Sequence, residues 1–410
     1  MSTGKRKVAI IGAGASGMMA AIHALRAGSS VTVFEKQQKV GRKLAVTGNG
    51  QCNISNRYLE LSRYHGRNPL FVRNLFSRFG LEQTIDFFEL IGIPLVEKKQ
   101  GKLYPQSLQA QSVVDILDYE LRHSGGEILL HRRVDQIEPV SDGVKIITAG
   151  QERLHFDAVI LAAGGCSYPQ LGASHQGYEL AEALGHTIID PFPAILPINI
   201  ALKALHRLEG IKCDVELSVM IKGAVTGSAV GEILFTRYGI SGPVTLEISR
   251  LVNEPLLRGD KPEICINLFP DKKRDDVVSL FDILFASGDK GVAFALAGVL
   301  KKRVPEIFVS LAGVDPLKRC ADLSVKEKNA IVDAFTSQRL SPGEIRSFSE
   351  AVISAGGVSV DEIVPATMES KKARRVYLCG ELLDIDGDSG GFNLQFAWSS
   401  GAVAGMAQGS

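Results

Sequence analysis

The strongest constraint on this chain lies in residues 7–35, KVAIIGAGASGMMAAIHALRAGSSVTVFE. Residues 8–11 form a continuously apolar run rich in β-branched side chains, as expected of a strand buried on both faces of a parallel sheet. Gly12, Gly14 and Gly17 then make a GxGxxG where that strand ends. From residue 16 to 26 the pattern turns helical, with Met18, Met19, Ile22 and Leu25 on one side, until Gly28 stops it and residues 31–34 begin a second strand. Strand, glycines, helix and strand in this order make a βαβ unit of minimum length, so an α/β fold with a parallel sheet is expected.

Each residue of the turn has a physical task. Gly12 permits the tight bend, Gly14 lets a pyrophosphate reach the backbone, and Gly17 lets the helix pack closely on the strand. An anion then sits on the unpaired N–H groups at the positive end of the helix, and Ala15 and Ser16 belong to the same contact surface. Glu35 ends the second strand, where a carboxylate accepts hydrogen bonds from an adenosine ribose and repels a 2′-phosphate. Lys36 follows it at the same edge.

The other cofactor candidates are spread along the chain. In KQQKVGRKLAVTGNGQCNISN, Arg42 and Lys43 offer two cations to the pyrophosphate, Thr47, Gly48 and Gly50 allow close backbone approach, and Asn49 and Asn53 supply amides. Cys52 lies in this loop, with the reading of a small buried residue favoured over a redox thiol. Val134, on a strand of a small antiparallel meander, is a candidate adenine contact or simply a core residue. A buried strand at 157–161 runs into Ala163, Gly164 and Gly165, small residues at the carboxyl end where open α/β sheets bind ligands. His175 in the next loop faces either the site or solvent. Prolines 191, 193 and 197 mark a domain boundary, after which residues 215–221 alternate as a half-buried strand. Arg237 lies in the loop FTRYGISGP. Residues 271–339 change texture to helical, with a capping box at Ser324 and Glu327. Finally a strand at 376–379 leads to Gly380, Glu381 and Asp384, and Gly390 and Gly391 precede a small-residue helix at about 393–406, repeating the logic of the opening.

Composition narrows the class more than the function. A formal net charge of +1, without a stripe of Arg and Lys interleaved with aromatics, makes no case for nucleic acid or an anionic membrane, so neither partner is expected. Six cysteines without CxxC or Cys/His spacing imply free thiols, a reducing compartment and no metal site. With no apolar run near the roughly 20 residues that span a bilayer, and no room before the first strand for a targeting peptide, a cytoplasmic protein is expected.

GAGASG with Glu35, then VGRKLAVTGNGQCNISN, the AAGG strand end, FTRYGISGP, ISAGGVSVDEIVPATMES and GELLDIDGDSGGFNLQFAWSSG, in this order over nearly the whole chain, closely resemble the BaiN-like, YhiN-like or aminoacetone-oxidase-family FAD-binding flavoproteins. The resemblance implies a glutathione-reductase-like Rossmann FAD domain at 1–191 and 369–410, an inserted β-barrel-like domain at 192–270 and 340–368, and a helical domain at 271–339 nested within it. It implies that Gly12, Gly14, Ser16 and Gly17 contact the FAD pyrophosphate, Glu35 the adenosine ribose, and Arg42 and Lys43 the neighbouring phosphate or ribose. The 47–53 loop and the helix start at Gly391, Phe392, Asn393 and Leu394 then approach the flavin, and Glu381 and Asp384 the ribityl and phosphate groups. The chain departs from the family at Gln51, where Arg is common, and at Arg237, where His is common; both positions bear on substrate rather than flavin.

The expected function is an FAD-dependent oxidoreductase in which the flavin carries the hydride, with NAD(P)H as a transient donor and a small organic substrate, of the enone-reduction or amine-oxidation type. Cys52, His175 and Arg237 are weak candidates for a catalytic role. The competing readings are an NAD-dependent dehydrogenase using the opening unit alone and a non-catalytic flavin- or RNA-binding protein.

Overall fold

A computed structural model describes residues 5–286, 288–301 and 303–409. Contacts divide them into two compact units, one running to Phe192 and resuming at Val352, the other Pro193–Ala351.

The first unit is built on five parallel strands. These are β1 (Lys7–Ile11), β2 (Ser30–Phe34), β3 (Glu127–Leu129), β4 (Ala158–Leu161) and β5 (Val376–Leu378), in the spatial order β5-β4-β1-β2-β3. Val8 pairs with Val31 on one side and with Ala158 on the other. The chain therefore runs outward from β1 through β2 and β3, then returns to the far side of β1 with β4 and β5. That reversal opens a crevice beyond the carboxyl ends of β1 and β4, the place where open α/β sheets take ligands. Every residue of β4 is buried, which explains its unbroken apolar run. On one face lies the meander Val134–Val140, Gly143–Thr148 and Arg153–Phe156, whose Phe156 meets Phe34 of β2 edge-on at 5.9 Å.

Helix α1 (Ala15–Arg26) packs against the last helix, α2 (Phe392–Met406), and small residues make this possible. A Cβ on Gly401 would stand 2.3 Å from the Ser16 carbonyl oxygen, and one on Gly405 2.3 Å from that of Ala20. Residue numbers rise together along this contact, so the two helices run in the same direction. Gly401 is nine positions past the start of α2 while Ser16 is one past the start of α1. The N-terminus of α2 thus projects about eight residues further, roughly 12 Å at the rise of an α-helix.

Residues 352–368, expected with the inserted domain, lie in the first unit. Residues Ile353–Val358 form a strand tied in by a parallel bridge from Val358 to Leu383 and by the Ser359 N–H donating to the Thr187 carbonyl at 3.0 Å.

In the second unit six antiparallel strands follow the order Ile198–Asn199, Gly239–Ser241, Ala224–Thr236, Lys212–Ile221, Glu263–Asn267, Gln338–Leu340. A bridge between Ile200 and Pro342, with the Gly343 N–H donating to Asn199 at 2.8 Å, brings the two edges together and curls the sheet. Val215, Leu217 and Val219 point inward, as their alternation requires. Between the last two strands the chain forms the helices Arg274–Phe285, Arg303–Leu311 and Val325–Thr336. Their Phe281, Phe308 and Phe335 share one core with the sheet. The capping box forms, with the Ser324 N–H donating to Glu327 at 2.8 Å and the Glu327 N–H to the Ser324 hydroxyl at 3.3 Å.

Candidate functional site

At the end of β1, Gly12 has φ +104°, and a Cβ there would lie 2.5 Å from the Ala162 carbonyl oxygen, so no other residue fits. A Cβ on Gly17 would lie 1.9 Å from the Gly12 oxygen, which is the close helix–strand approach read from the motif. Gly14 is different: it is the N-cap of α1, has an extended conformation, no side-chain cap, and nothing within 4 Å of where a Cβ would stand. The space beside the N-cap of α1 is therefore open, with a positive helix end next to it. Glu35 holds this turn from the side. One carboxylate oxygen accepts from the Ala13 N–H at 2.9 Å and the other from the Gln37 N–H at 2.8 Å. Each oxygen keeps a second lone pair for a ribose hydroxyl.

Two small-residue turns border the crevice. Gly164 has φ +73° and is open on its Cβ side, next to Ala163, while a Cβ on Gly165 would lie 2.8 Å from the Ser354 hydroxyl. The turn after β5 comes over the start of α1, where a Cβ on Gly380 would lie 2.3 Å from the Ser16 hydroxyl, and its Gly380 N–H donates to the Ser400 hydroxyl of α2 at 3.0 Å. Glu381 is the hub between them. Its carboxylate accepts from Lys43 Nζ at 2.5 Å, the Ser354 N–H at 2.8 Å and the Ser167 hydroxyl at 2.9 Å. Lys43 is thus neutralised by Glu381 and joins the 41–53 loop to the end of β5. Arg42 donates to the Gln37 side chain at 2.6 Å. Asp384 is buried and accepts from the Arg67 N–H at 2.9 Å, fixing the loop before it.

The loop at residues 47–53 forms one tight turn. Gly48, Asn49, Gly50 and Cys52 all have φ between +54° and +79°. Thr47 donates to the Leu44 carbonyl at 2.7 Å, and the exposed backbone of 48–50 is left as the turn's outer edge. Cys52 is wholly buried, and burial pushes its thiol up to about 12, so it carries no thiolate at neutral pH. Asn53 Oδ1 is buried with no hydrogen-bond partner among the described residues.

Helix α2 starts at Gly391, its N-cap, with φ +106° and no side-chain cap. Here the glycine is forced by the chain itself, because a Cβ would lie 2.4 Å from the Ser55 carbonyl oxygen. Asn393 spends its side chain on the preceding loop, accepting from the Gly387 N–H at 2.8 Å and donating to the Gly387 carbonyl at 2.7 Å. Phe392 is buried under Tyr64, whose hydroxyl donates to the Phe392 carbonyl at 3.0 Å, and Leu394 is half-buried. What α2 offers a ligand is its backbone.

On the other side of Glu35 lies a cleft of about 1090 Å³, lined among others by Lys36, Gln37, Arg133, Asp135, His175 and Gln176. Lys36 donates to the Ser174 hydroxyl at 2.6 Å, and burial lowers its ammonium below the ordinary range. His175 is exposed on the rim. Val134 is buried in the meander, with its carbonyl accepting from the Gln176 amide at 2.8 Å. Arg237 is exposed at the hairpin turn between Ala224–Thr236 and Gly239–Ser241 in the second unit.

These residues fit FAD. Two uncapped helix starts point the same way with an offset of roughly 12 Å, Gly14 and Gly164 leave open space beside the first of them, and Asn53 Oδ1 lacks a donor. Reading the sequence missed Ser167 and Ser354, which complete the Glu381 hub, and the hairpin Leu95–Glu97 with Lys102–Pro105, whose tip KKQGK is its only sequence signal. Among the described residues, no group of three or more His, Cys, Asp or Glu is placed to hold a metal, and no helix is long and apolar enough to cross a membrane.

Residues 6–407 match the family described as HI0933-like protein Rossmann domain. The chain is 33% identical over 404 residues to a 3-dehydro-bile acid delta(4,6)-reductase of Clostridium scindens, covering 98% of each. It is 31% identical over 396 residues to a ribosomal RNA dihydrouridine synthase of Escherichia coli, covering 95% of each. Among solved structures it resembles the 3-ketosteroid delta1-dehydrogenase of Sterolibacterium denitrificans in fold, with a TM-score of 0.50 at 11% identity, covering 98% of this chain and 99% of that one. The chain therefore belongs to the HI0933-like family, FAD-dependent oxidoreductases built on a Rossmann-type α/β fold.

Proposed function

We propose that the protein reduces a carbon–carbon double bond conjugated to a carbonyl, with NAD(P)H as the electron donor. The observation that carries this reading is the pair of parallel, uncapped helix starts at Gly14 and Gly391, spaced for a dinucleotide longer than either end alone. The names of the relatives support the reaction class. A bile acid Δ4,6-reductase saturates an alkene in conjugation with a 3-oxo group, and dihydrouridine is uridine with the double bond next to its 4-carbonyl saturated. When bound, FAD supplies hydride transfer between donor and alkene.

The chain's own part is binding and placement. The N–H groups after Gly14 hold the pyrophosphate, and Glu35 both braces that turn and offers its free lone pairs to the adenosine ribose. The 163–165 turn and the Lys43–Glu381 pair wall the middle of the site. The first N–H groups of α2 present a positive helix end at the far end of the cofactor, where negative charge develops on reduction. The rigid 47–53 turn, with four residues in the left-handed region, keeps its backbone against that end.

Anaerobic titration with NADH and NADPH, then addition of acceptors under argon, tests this. We expect bleaching of the yellow protein by one nicotinamide and reoxidation by a 3-oxo-Δ4 steroid acid or by uridine-containing RNA. Reduction by a small amine, with neither alkene reoxidising the protein, would overturn it.

A further inference from the structure

The hairpin that carries KKQGK stands beside both segments assigned to the flavin end. At its base Tyr104 lies 3.4 Å from the Cβ position of Gly48, and Lys98 reaches Gln51 at 3.3 Å while lying 5.2 Å over the Tyr104 ring. On the other side Lys102 comes within 3.6 Å of the Cβ position of Gly390, and Asn56 donates to the Gly390 carbonyl at 3.0 Å. Tyr58 packs its ring on Gly101 at the tip and is 58% exposed, which leaves an aromatic face available there. The five residues 98–102 hold three lysines and no acid. The neighbouring Glu97 is engaged by Arg57 at 3.4 Å. Cations and aromatics that are scattered in sequence are thus gathered on one rim.

We propose that this hairpin is a specificity element that binds an oxyanion of the substrate, carboxylate or phosphate, between Lys98 and Lys102, with Tyr58 stacking on the group that carries it. The proposal rests on the reductase reading only for what happens after binding. Lysines suit the task because ammonium is a strongly hydrated point charge that accepts either oxyanion without demanding a bidentate geometry. Substrate held this way keeps its anion at the rim and its reducible part toward the flavin end, so charge at the rim governs KM rather than kcat.

Calorimetric titration of the full-length, FAD-loaded protein measures this without turnover. The probes are two pairs in which one member carries the anionic group and the other does not, 3-oxochol-4-en-24-oic acid with its methyl ester, and uridine 5′-monophosphate with uridine. One acid should bind about tenfold more tightly than its neutral twin, the strength of one charge-assisted contact. Preference for the steroid acid identifies a small carboxylate, and preference for the nucleotide a phosphate. In Lys98→Ala/Lys102→Ala that preference should vanish while the neutral twin binds as before and the flavin spectrum is unchanged. Tyr58→Ala should weaken both members of the preferred pair. A wild-type protein that binds neither acid better than its twin, including one that binds none of the four, would overturn the proposal, as would a double variant that keeps the preference. If the preference is present but no probe is reduced, the reductase reading fails and the anion site stands.

Discussion

Helices α1 and α2 begin alike and for opposite reasons. Each starts at a glycine with no side-chain cap. Gly14 has an ordinary extended backbone and empty space where a side chain would be, so its lack of one serves what comes from outside. Gly391 has φ +106° and the Ser55 carbonyl pressed against it, so its lack of a side chain serves the fold. The same residue at the same position of a helix is a binding device in one case and a packing device in the other. Only the surroundings tell them apart.

Substitution at these positions breaks or sharpens the contrast. Gly391→Ala should cost about 3 kcal/mol or more of apo-protein stability, because it combines a disfavoured backbone with a clash against main chain that cannot step aside; denaturant unfolding measures it. Gly14→Ala should leave that stability within about 0.5 kcal/mol yet weaken FAD binding by about 2 kcal/mol, roughly thirtyfold. Equal losses of stability in the two variants would erase the distinction. Glu35→Ala lies between them. It removes the acceptor of two backbone N–H groups at the half-buried edge of the turn, so about 1 kcal/mol of stability and about tenfold in FAD affinity should go together.

The smallest effect is expected at Cys52. Its thiol is raised from 9.0 to about 12 by burial, so below pH 9 both folded and unfolded chains keep the proton and stability is unaffected. From pH 9 towards 12 the unfolded chain loses a proton the folded chain retains, and stability falls through that window. Unfolding measured from pH 8 to 10.5 should show this decline shrinking in Cys52→Ala, with FAD reduction by nicotinamide unchanged at pH 7.5.

The opening turn was legible because its signal is local: strand, glycines, helix and acid lie within thirty residues, and each constrains the next. The far end was legible in outline, since glycines before a small-residue helix announce a helix start. What that helix packs on was not, because Gly401 and Gly405 show only that something comes close, and Ser16 and Ala20 are nearly four hundred residues away. The resemblance makes both Lys43 and Glu381 cofactor contacts, while their union, 338 positions apart in the chain, has no trace in either segment. Asn393 belongs to the helix start that the resemblance brings to the flavin, and its two side-chain bonds to Gly387, which leave its backbone for a ligand, have no trace in the sequence. The cationic rim was hidden for the same reason. Its aromatics and lysines come from residues 58 and 98–104, and only the pairing of strand Ser55–Asn56 with Lys102–Pro105 brings them together.

The central claim is that one dinucleotide spans both helix starts. Calorimetric titration of the apo-protein with FAD, FMN and ADP tests it most directly. One FAD per chain should bind at least about a hundredfold more tightly than either fragment, because each fragment reaches only one helix start. FMN or ADP binding as tightly as FAD, or a folded protein that takes up no FAD, would contradict it.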